Sequence, residues 1–220
     1  MKRKYELTDE TIQISGRTLH RIKALKDFGD VKKGDIGGYV ENEWNLSQNG
    51  ECWIYGKAKA YDHAIVGSDA KIYDNVRING NAIIADKASA HGNVWIREYA
   101  FVYESAKLYD SATVYGVATI RSNAIVTGRA VITGNAWITQ DAAIHFTEDY
   151  ATVQGFGSIC RSTTFFRRWD GDVGVQCGCF YGTLAEFREQ VKKKHGDSKK
   201  GKEYLMIADL MEYRFSSAKE

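Results

Sequence analysis

Residues 82–102 read AIIADKASAHGNVWIREYAFV, and a small residue stands at every sixth position of this stretch. The same spacing runs from Ala58 to Ala142, where thirteen of fifteen residues are alanine and the other two are valine. Two positions further on, every sixth residue from Ala60 to Ile144 is apolar. Neither the 3.6-residue period of a helix nor the two-residue period of a simple strand produces this pattern.

Each six-residue unit predicts a short strand with two inward side chains, and the Gly, Asn, Asp or Ser that usually follows supplies a turn. Three strands close one triangular coil of 18 residues, and successive coils pair as parallel strands about 4.8 Å apart. Five full coils cover about residues 56–146. Leu46, Cys52 and Ile54 continue the phase towards the N-terminus, so the predicted solenoid begins near residue 46.

The flanking segments predict caps, because a bare β-helix end exposes strand edges and an apolar interior. We expect residues 1–45 to form a hairpin cap, turning at Ser15 and Gly16, and a lead-in segment, residues 46–150 the β-helix, and residues 151–220 a small α+β module. That module should contain two strands around a turn at 169–172, a helix from the capping box of Thr183 and Glu186 to about residue 195, and a second helix over 202–216. The side chains expected to pack inward from the second helix are Leu205, Leu210, Met211 and Phe215.

The six-residue repeat resembles that of the hexapeptide-repeat family, whose fold is the left-handed parallel β-helix. The hand of the helix is implied by this resemblance and not by the spacing. The segments GDIGGYVE at 34–41, TTFFR at 163–167 and CGCF at 177–180 extend a resemblance to phage and prophage proteins described as hexapeptide transferases or polymer-forming proteins. The predicted fold class is therefore an all-β solenoid, a left-handed parallel β-helix whose coils each contain three of the six-residue units, followed by a small α+β module.

The composition excludes several classes of function. Thirty basic residues face 28 acidic ones, so no global positive field attracts nucleic acid. No stretch approaches the roughly 18 apolar residues of a membrane span, and the N-terminus lacks the apolar run of a signal peptide. Four cysteines are too few for a disulfide scaffold. We expect a protein of the bacterial host cytoplasm that contacts neither membrane nor nucleic acid.

Stepping along the chain by one whole coil sorts the outward strand positions into three faces. The first face collects Lys59, Arg77, Trp95, Thr113 and Val131, the second Ile65, Ile83, Phe101, Thr119 and Trp137, and the third Lys71, Ser89, Lys107, Ile125 and Ala143. Only the second face is apolar over most of its length, which is typical of an interface. The family resemblance favours a parallel homotrimer, with Ile65, Ile83, Phe101 and Trp137 buried between subunits. The alternative is that the C-terminal module folds back over this face.

Aromatic and cationic side chains on and beside the first and third faces predict clefts for a planar anionic ligand such as a nucleotide. The candidate binding residues are Trp95, Arg97, Tyr115, Tyr73, Lys107 and Tyr109. The alternative is aromatic stacking that only stabilises the sheet. The preferred interpretation is a non-catalytic phage-type protein that binds such a ligand or a host protein, for example to inhibit a host defence system.

Catalysis and a purely structural assembly role are the two alternative interpretations. Hexapeptide acyltransferases use a histidine as general base towards an acyl-CoA, and the resemblance makes His91 and His145 the candidates, with His63 as a third. His91 and His145 lie three coils apart, about 14 Å, so they do not form one site. No loop interrupts the repeat to shape an acceptor pocket, which favours surface histidines instead. No cofactor is expected.

The candidate ligands of a metal site are Cys160, Cys177, Cys179 and His195, because thiolate and imidazole are zinc ligands. Two of these cysteines alternate with Val173 and Val175 along one predicted strand. Small thiols on a valine-rich strand are more often core residues. The core interpretation is therefore preferred, and no metal is predicted.

Overall fold

A computed structural model of the protein describes residues 3–156 and 161–216. Most strands contain two residues, as expected for one side of a triangular coil. The strands are β1 (Tyr5–Ile14), β2 (Arg17–Ala24), β3 (Ile36–Val40), β4 (Trp53–Ile54), β5 (Lys59–Ala60), β6 (Ile65–Val66), β7 (Lys71–Ile72), β8 (Arg77–Ile78), β9 (Ile83–Ile84), β10 (Ser89–Ala90), β11 (Trp95–Ile96), β12 (Phe101–Val102), β13 (Lys107–Leu108), β14 (Thr113–Val114), β15 (Thr119–Ile120), β16 (Ile125–Val126), β17 (Val131–Ile132), β18 (Trp137–Ile138), β19 (Ala143–Ile144), β20 (Tyr150–Phe156), β21 (Arg161–Arg167), β22 (Val173–Cys177) and β23 (Phe180–Thr183). The helices are α1 (Leu184–His195) and α2 (Lys199–Ser216).

Three sheets form the walls of the solenoid, one for each face. The first-face sheet has the order β1-β2-β3-β5-β8-β11-β14-β17, the second-face sheet β18-β15-β12-β9-β6 and the third-face sheet β19-β16-β13-β10-β7-β4. Each inner strand pairs in parallel with the strands one coil before and one coil after it, as Trp95 does with Arg77 and Thr113. The predicted fold class is confirmed. No helix within the described ranges is long and apolar enough to cross a membrane.

The hydrophobic core is the inside of the prism. The six-spaced alanines and valines and the aliphatic residues two positions later are all within 1% of full burial. Alanine at each corner leaves room for the larger aliphatic side chain of the same strand, so the interior can be filled at normal packing density.

Parallel stacking begins upstream of residue 46. Tyr39 of β3 pairs with Lys59, and Leu46 pairs with Val66, in both cases 20 positions along the chain. From Trp53 onward the spacing is 18. Two extra residues between Leu46 and Trp53 therefore shift the phase, and Leu46 takes the aliphatic position that pairs with Val66 instead of the small-residue position that a count of six gives it. The predicted phase of Leu46 is wrong for this reason, and the same shift hides the first coil from a strict count of six. The hairpin of β1 and β2 extends the same sheet by antiparallel pairing.

The N-terminal cap contains a lysine that the sequence does not mark as buried. Lys4 is 1% exposed, and its ammonium donates to the carbonyl oxygen of Cys52 at 3.0 Å and to the Cys52 thiol at 3.3 Å. Burial lowers the pKa of Lys4 from its usual range. The side chain satisfies acceptors at the open end of the first coil, and this explains why a charged residue lies there.

Every turn between β4 and β19 contains one residue with positive φ. These residues occur at every sixth position from Gly56 to Gln140 and are mostly Gly, Asp or Ser. Where the residue is acidic, its carboxylate can accept from the backbone N–H one coil further on, as Asp74 does from Gly92 at 2.8 Å and Asp110 from Gly128 at 2.9 Å. Acidic residues and glycines alternate from coil to coil in the series from Gly56 to Gly128 that contains these pairs. The arrangement explains this alternation, because the acidic side chain accepts a hydrogen bond from the next coil and glycine leaves space for that coil.

Gly92→Ala should therefore destabilise the coil more than Gly134→Ala. Both positions have positive φ, which costs a non-glycine residue about 1–2 kcal/mol. A Cβ on Gly92 would lie 2.6 Å from the Asp110 carbonyl oxygen, whereas nothing lies within 4 Å of a Cβ on Gly134. We expect an additional loss of about 1–3 kcal/mol for Gly92→Ala, measured by urea unfolding. Equal losses in the two variants would contradict the close approach.

Side-chain oxygens from the C-terminal segment cap the last coil, whose backbone N–H groups have no further coil to bond. The donor and acceptor pairs are Val131 with Thr147 at 3.0 Å, Thr133 with Tyr150 at 3.1 Å, Trp137 with Thr164 at 3.0 Å and His145 with Asp149 at 2.9 Å. Arg168 and Tyr181 both donate to Asp141 of the last coil. The module therefore closes the end of the solenoid.

The C-terminal module is a four-stranded antiparallel sheet, β20-β21-β22-β23, covered by two helices. Two strands were expected around the turn at 169–172, and β20 and β23 are additional. The capping box of Thr183 and Glu186 starts α1 as predicted, while α2 begins at Lys199 rather than residue 202. Met211 and Phe215 are buried and Leu205 is half-buried, but Leu210 is 58% exposed. The inward prediction for Leu210 is wrong, because it lies on the solvent side of α2.

Candidate functional site

Three columns of turn residues run along the corners of the prism. Each coil passes through the first, second and third faces in that order. Residue 97 therefore lies at the first–second corner, residue 104 at the second–third corner and residue 91 at the third–first corner. The third–first corner is opposite the second face. Tyr73 and Tyr109 lie at that corner, whereas Arg97 and Tyr115 lie at the first–second corner. The side chains predicted to bind one ligand are therefore in separate places.

An aromatic column occupies the third–first corner. Tyr55 stacks on Tyr73 at 4.5 Å between ring centroids, Tyr73 on His91 at 4.2 Å and His91 on Tyr109 at 5.2 Å. At its N-terminal end Tyr55 donates to Asp30 at 2.8 Å, and Lys71 also contacts Asp30. The faces of the inner rings are covered by their neighbours, so a planar ligand can reach only their edges.

His91 is the half-buried member of the three candidate histidines. Burial lowers the pKa of its imidazole below the usual 6.5, with Lys107 acting in the same direction and Asp74 against it. Within residues 3–156 and 161–216 no hydrogen bond involves its ring nitrogens. The ring is thus held in place by two tyrosines, and its lowered pKa favours the neutral form, in which one nitrogen can accept a proton.

The other two histidines lie apart from His91. His145 is exposed on the same corner, three coils away, and His63 is exposed at the first–second corner. Neither has a ring-stacking partner among the described residues. The structure therefore does not bring the three imidazoles together, in agreement with the spacing argument.

At the first–second corner, Arg97 lies between two aromatic rings. Its guanidinium carbon is 4.7 Å from the centroid of Trp95 and 4.5 Å from that of Tyr115. Trp95 in turn donates to Asn79 at 2.7 Å, and Arg97 approaches Glu98 at 3.4 Å. The ring faces towards Arg97 are occupied, so a planar ligand would stack there only by displacing this cation.

The second face is partly exposed along its length. Ile65 is 41% and Phe101 39% exposed, while Ile83 and Trp137 are half-buried. Tyr99 and Val117, in the turns that lead into this face, are each more than half exposed and enlarge the apolar patch. The sequence prediction missed these two because, beyond the strand positions, it considered only the turn residues that follow each strand and not those that precede it. The C-terminal module contacts this sheet at Trp137 and leaves Ile65 and Phe101 exposed.

The candidate zinc ligands do not form a cluster among the residues that the structure describes. Cys160 lies outside the described residues. Cys177 is half-buried and accepts a hydrogen bond from Thr163 at 3.1 Å, whereas Cys179 is exposed. His195 packs near Tyr204. No group of three or more His, Cys, Asp or Glu residues suited to a metal occurs in the described part of the chain.

Comparison with known proteins adds one partial similarity. No family model matches the chain. A protein of Escherichia coli (strain K12) named "Uncharacterized acetyltransferase YdcK" is 37% identical over 73 residues. The match covers 29% of this chain and 22% of that protein, so it spans less than a quarter of YdcK. Together, the regular three-sided solenoid and this similarity fit a β-helix protein of the kind in which hexapeptide repeats occur.

Proposed function

We propose that the protein is an acyltransferase that uses an acyl-CoA thioester and His91 as general base. The similarity to a protein named as an acetyltransferase supports this alternative over the ligand-binding interpretation that the sequence favoured. The observation that carries the proposal is the half-buried imidazole of His91, which is fixed between Tyr73 and Tyr109 and whose pKa burial lowers. A base with these properties suits proton removal near neutral pH.

The chemistry is transfer of an acyl group to a hydroxyl or amine acceptor. The acceptor oxygen or nitrogen attacks the thioester carbonyl carbon while His91 takes the acceptor proton. The carbon–sulfur bond then breaks, and the thiolate leaves with the electron pair and receives a proton from the imidazolium. Tyr73 and Tyr109 are positioning residues, because they restrict the ring and touch no reacting atom.

The proposal includes a homotrimer formed through the second face. Ile65, Phe101, Tyr99 and Val117 expose an apolar surface that a soluble monomer rarely keeps. Three copies around one axis would remove it from water. His91 then lies on the outer side of the assembly, where the acceptor arrives from solvent.

A second candidate function is the binding of a planar anionic ligand at the first–second corner. The observation in its favour is the guanidinium of Arg97, which Trp95 and Tyr115 hold in place and which is a charged hydrogen-bond donor for an anionic group. Its role would be that of a phage-type binding protein directed at a nucleotide or at a host protein. Calorimetry with mono-, di- and cyclic nucleotides tests it, and Arg97→Ala should abolish any micromolar binding. Unchanged affinity in that variant would exclude this corner.

The direct test of the main proposal is thiol release from acetyl-CoA by the purified protein. A panel of acceptor amines and hydroxyl compounds is offered, including amino sugars and amino acids. We expect acceptor-dependent thiol release and an acetylated product of matching mass. Thioester consumption that no acceptor increases would contradict group transfer.

A further inference from the structure

We infer that the outer face of α2 docks on a membrane surface rich in anionic lipid, with Met206, Leu210 and Tyr213 entering the headgroup layer and neighbouring lysines contacting the lipid phosphates. The inference is independent of acyl transfer and of the proposed homotrimer. The sequence argument against a membrane contact concerned spanning segments and signal peptides. It does not apply to this contact, because an amphipathic helix can bind in the plane of the interface without crossing the bilayer.

Helix α2 is apolar on two opposite sides. Its inner side, which includes Tyr204 and Met211, is buried in the core that the helices share with the sheet of the module. On its outer side Met206 is 70% exposed, Leu210 58% and Tyr213 74%. Spacings of four and three residues place these three side chains on one face of the helix. A contiguous apolar stripe of this kind is typical of a contact surface.

Six exposed lysines gather at the N-terminal end of this stripe. They are Lys192, Lys193, Lys194, Lys199, Lys200 and Lys202. Three lie in the last turn of α1 and three in the first turn of α2, and only residues 196–198 separate the two helices. Lys199 and Lys202 precede Met206 by about two turns and one turn, so they continue the same outer face. The face therefore combines cations with apolar side chains.

Carboxylates in this part of the module are fewer than the cations. Residues 192–216 contain seven Lys and Arg and four Asp and Glu. The carboxylates of α2 that form ion pairs are Glu203 with Lys199 at 4.0 Å, and Asp209 and Glu212 with Arg188, each at 2.8 Å. The fourth, Asp197, lies in the connection between the helices among the six lysines. The lysine end of the helix pair therefore keeps a net positive charge.

The combination of charge and apolar surface favours lipid over nucleic acid. Nucleic-acid phosphates are neutralised by Lys and Arg alone, and that contact would leave the apolar stripe exposed to water. Clusters of roughly four to eight lysines on or beside an amphipathic helix are attracted to anionic leaflets. The opposite end of α2 is anchored near the last coil, where the Phe215 carbonyl oxygen accepts from Arg167 and Arg167 approaches Asp149. The lysine cluster lies at the other end of the helix, about 27 Å away.

Flotation with lipid vesicles tests the docking. At about 0.1 M salt the full chain should bind vesicles of phosphatidylcholine containing roughly 30% phosphatidylglycerol and should not bind vesicles of phosphatidylcholine alone. Leu210→Glu should weaken binding more than about tenfold, because a carboxylate then replaces an inserted apolar side chain. Lys200→Glu combined with Lys202→Glu should weaken binding at least as much, because each lysine near the surface adds to the attraction.

Matched controls alter the same chemical groups at other places. Ile36 is 49% exposed on β3, and Lys33 and Lys87 are exposed on the N-terminal cap and the solenoid. Ile36→Glu, and Lys33→Glu combined with Lys87→Glu, should bind the anionic vesicles within about twofold of wild type, because charges more than a Debye length from the contact are screened. Melting temperatures establish that each variant is folded.

The results distinguish lipid docking from its alternatives. Weakened binding in the α2 variants together with retained binding in both controls supports the docking. A wild-type chain that binds no anionic vesicles overturns it. Binding that Leu210→Glu leaves unchanged, or that the control variants lose equally, overturns the assignment to the outer face of α2. Tighter binding of duplex DNA or of RNA than of these vesicles would make nucleic acid the occupant and would contradict the inference.

Discussion

Replacing His91 with Asn should reduce acyl transfer by about 10²–10⁴-fold, the usual contribution of a general base. Asparagine keeps the size and polarity of the side chain but accepts no proton near neutral pH. The stack with Tyr73 and Tyr109 tolerates a planar amide, so the fold should be retained. His145→Asn and His63→Asn are matched controls and should keep wild-type rates. If the His91 variant kept its rate while either control lost activity, the base would be misassigned.

The pH dependence provides an independent readout for His91. Because burial lowers the pKa of this imidazole, protonation removes the base only below the usual value of 6.5. We expect kcat/KM to be constant at neutral pH and to fall as the pH drops through a midpoint below 6.5. A midpoint well above that value would indicate that a different group is titrating. Tyr73→Leu should raise this midpoint, because it removes one of the two aromatic rings that shield the His91 imidazole from water.

Replacing Phe101 with Glu should dissociate the assembly. Phe101 lies near the middle of the second face and is 39% exposed in one chain. Burying an unpaired carboxylate costs several kcal/mol, and closed symmetry repeats that cost in every subunit. Ile125→Glu is the matched control, since Ile125 occupies the corresponding outward position on the third face. Sedimentation should show monomers for Phe101→Glu and unchanged mass for Ile125→Glu. Two unchanged masses would contradict the interface.

The sequence predicted the solenoid because its side-chain requirement repeats every six residues. Thirteen alanines at one phase cannot be satisfied by a helix or by a flat sheet. The first coil was missed for a specific reason: two extra residues before Trp53 change the phase, although β3 still pairs in parallel with β5. Strand pairing depends on geometry and tolerates such a shift, whereas a count of six does not.

The site was less predictable than the fold. Stepping by one coil placed Trp95, Arg97 and Tyr115 near each other, and the structure adds that Arg97 fills the space between the rings. The separation of this corner from the Tyr73 and Tyr109 column depends on which side of the prism each turn faces. Chain order contains that information, but grouping residues by face alone discards it. Leu210 was misplaced because helix spacing alone does not show which side of α2 meets the sheet.

Native mass spectrometry in the presence of acetyl-CoA tests the central claim most directly. One spectrum reports the number of chains and any bound thioester. The account predicts a complex of three chains that carries acetyl-CoA and loses the acetyl group when an acceptor is added. A single chain that binds no thioester at millimolar concentration would contradict it.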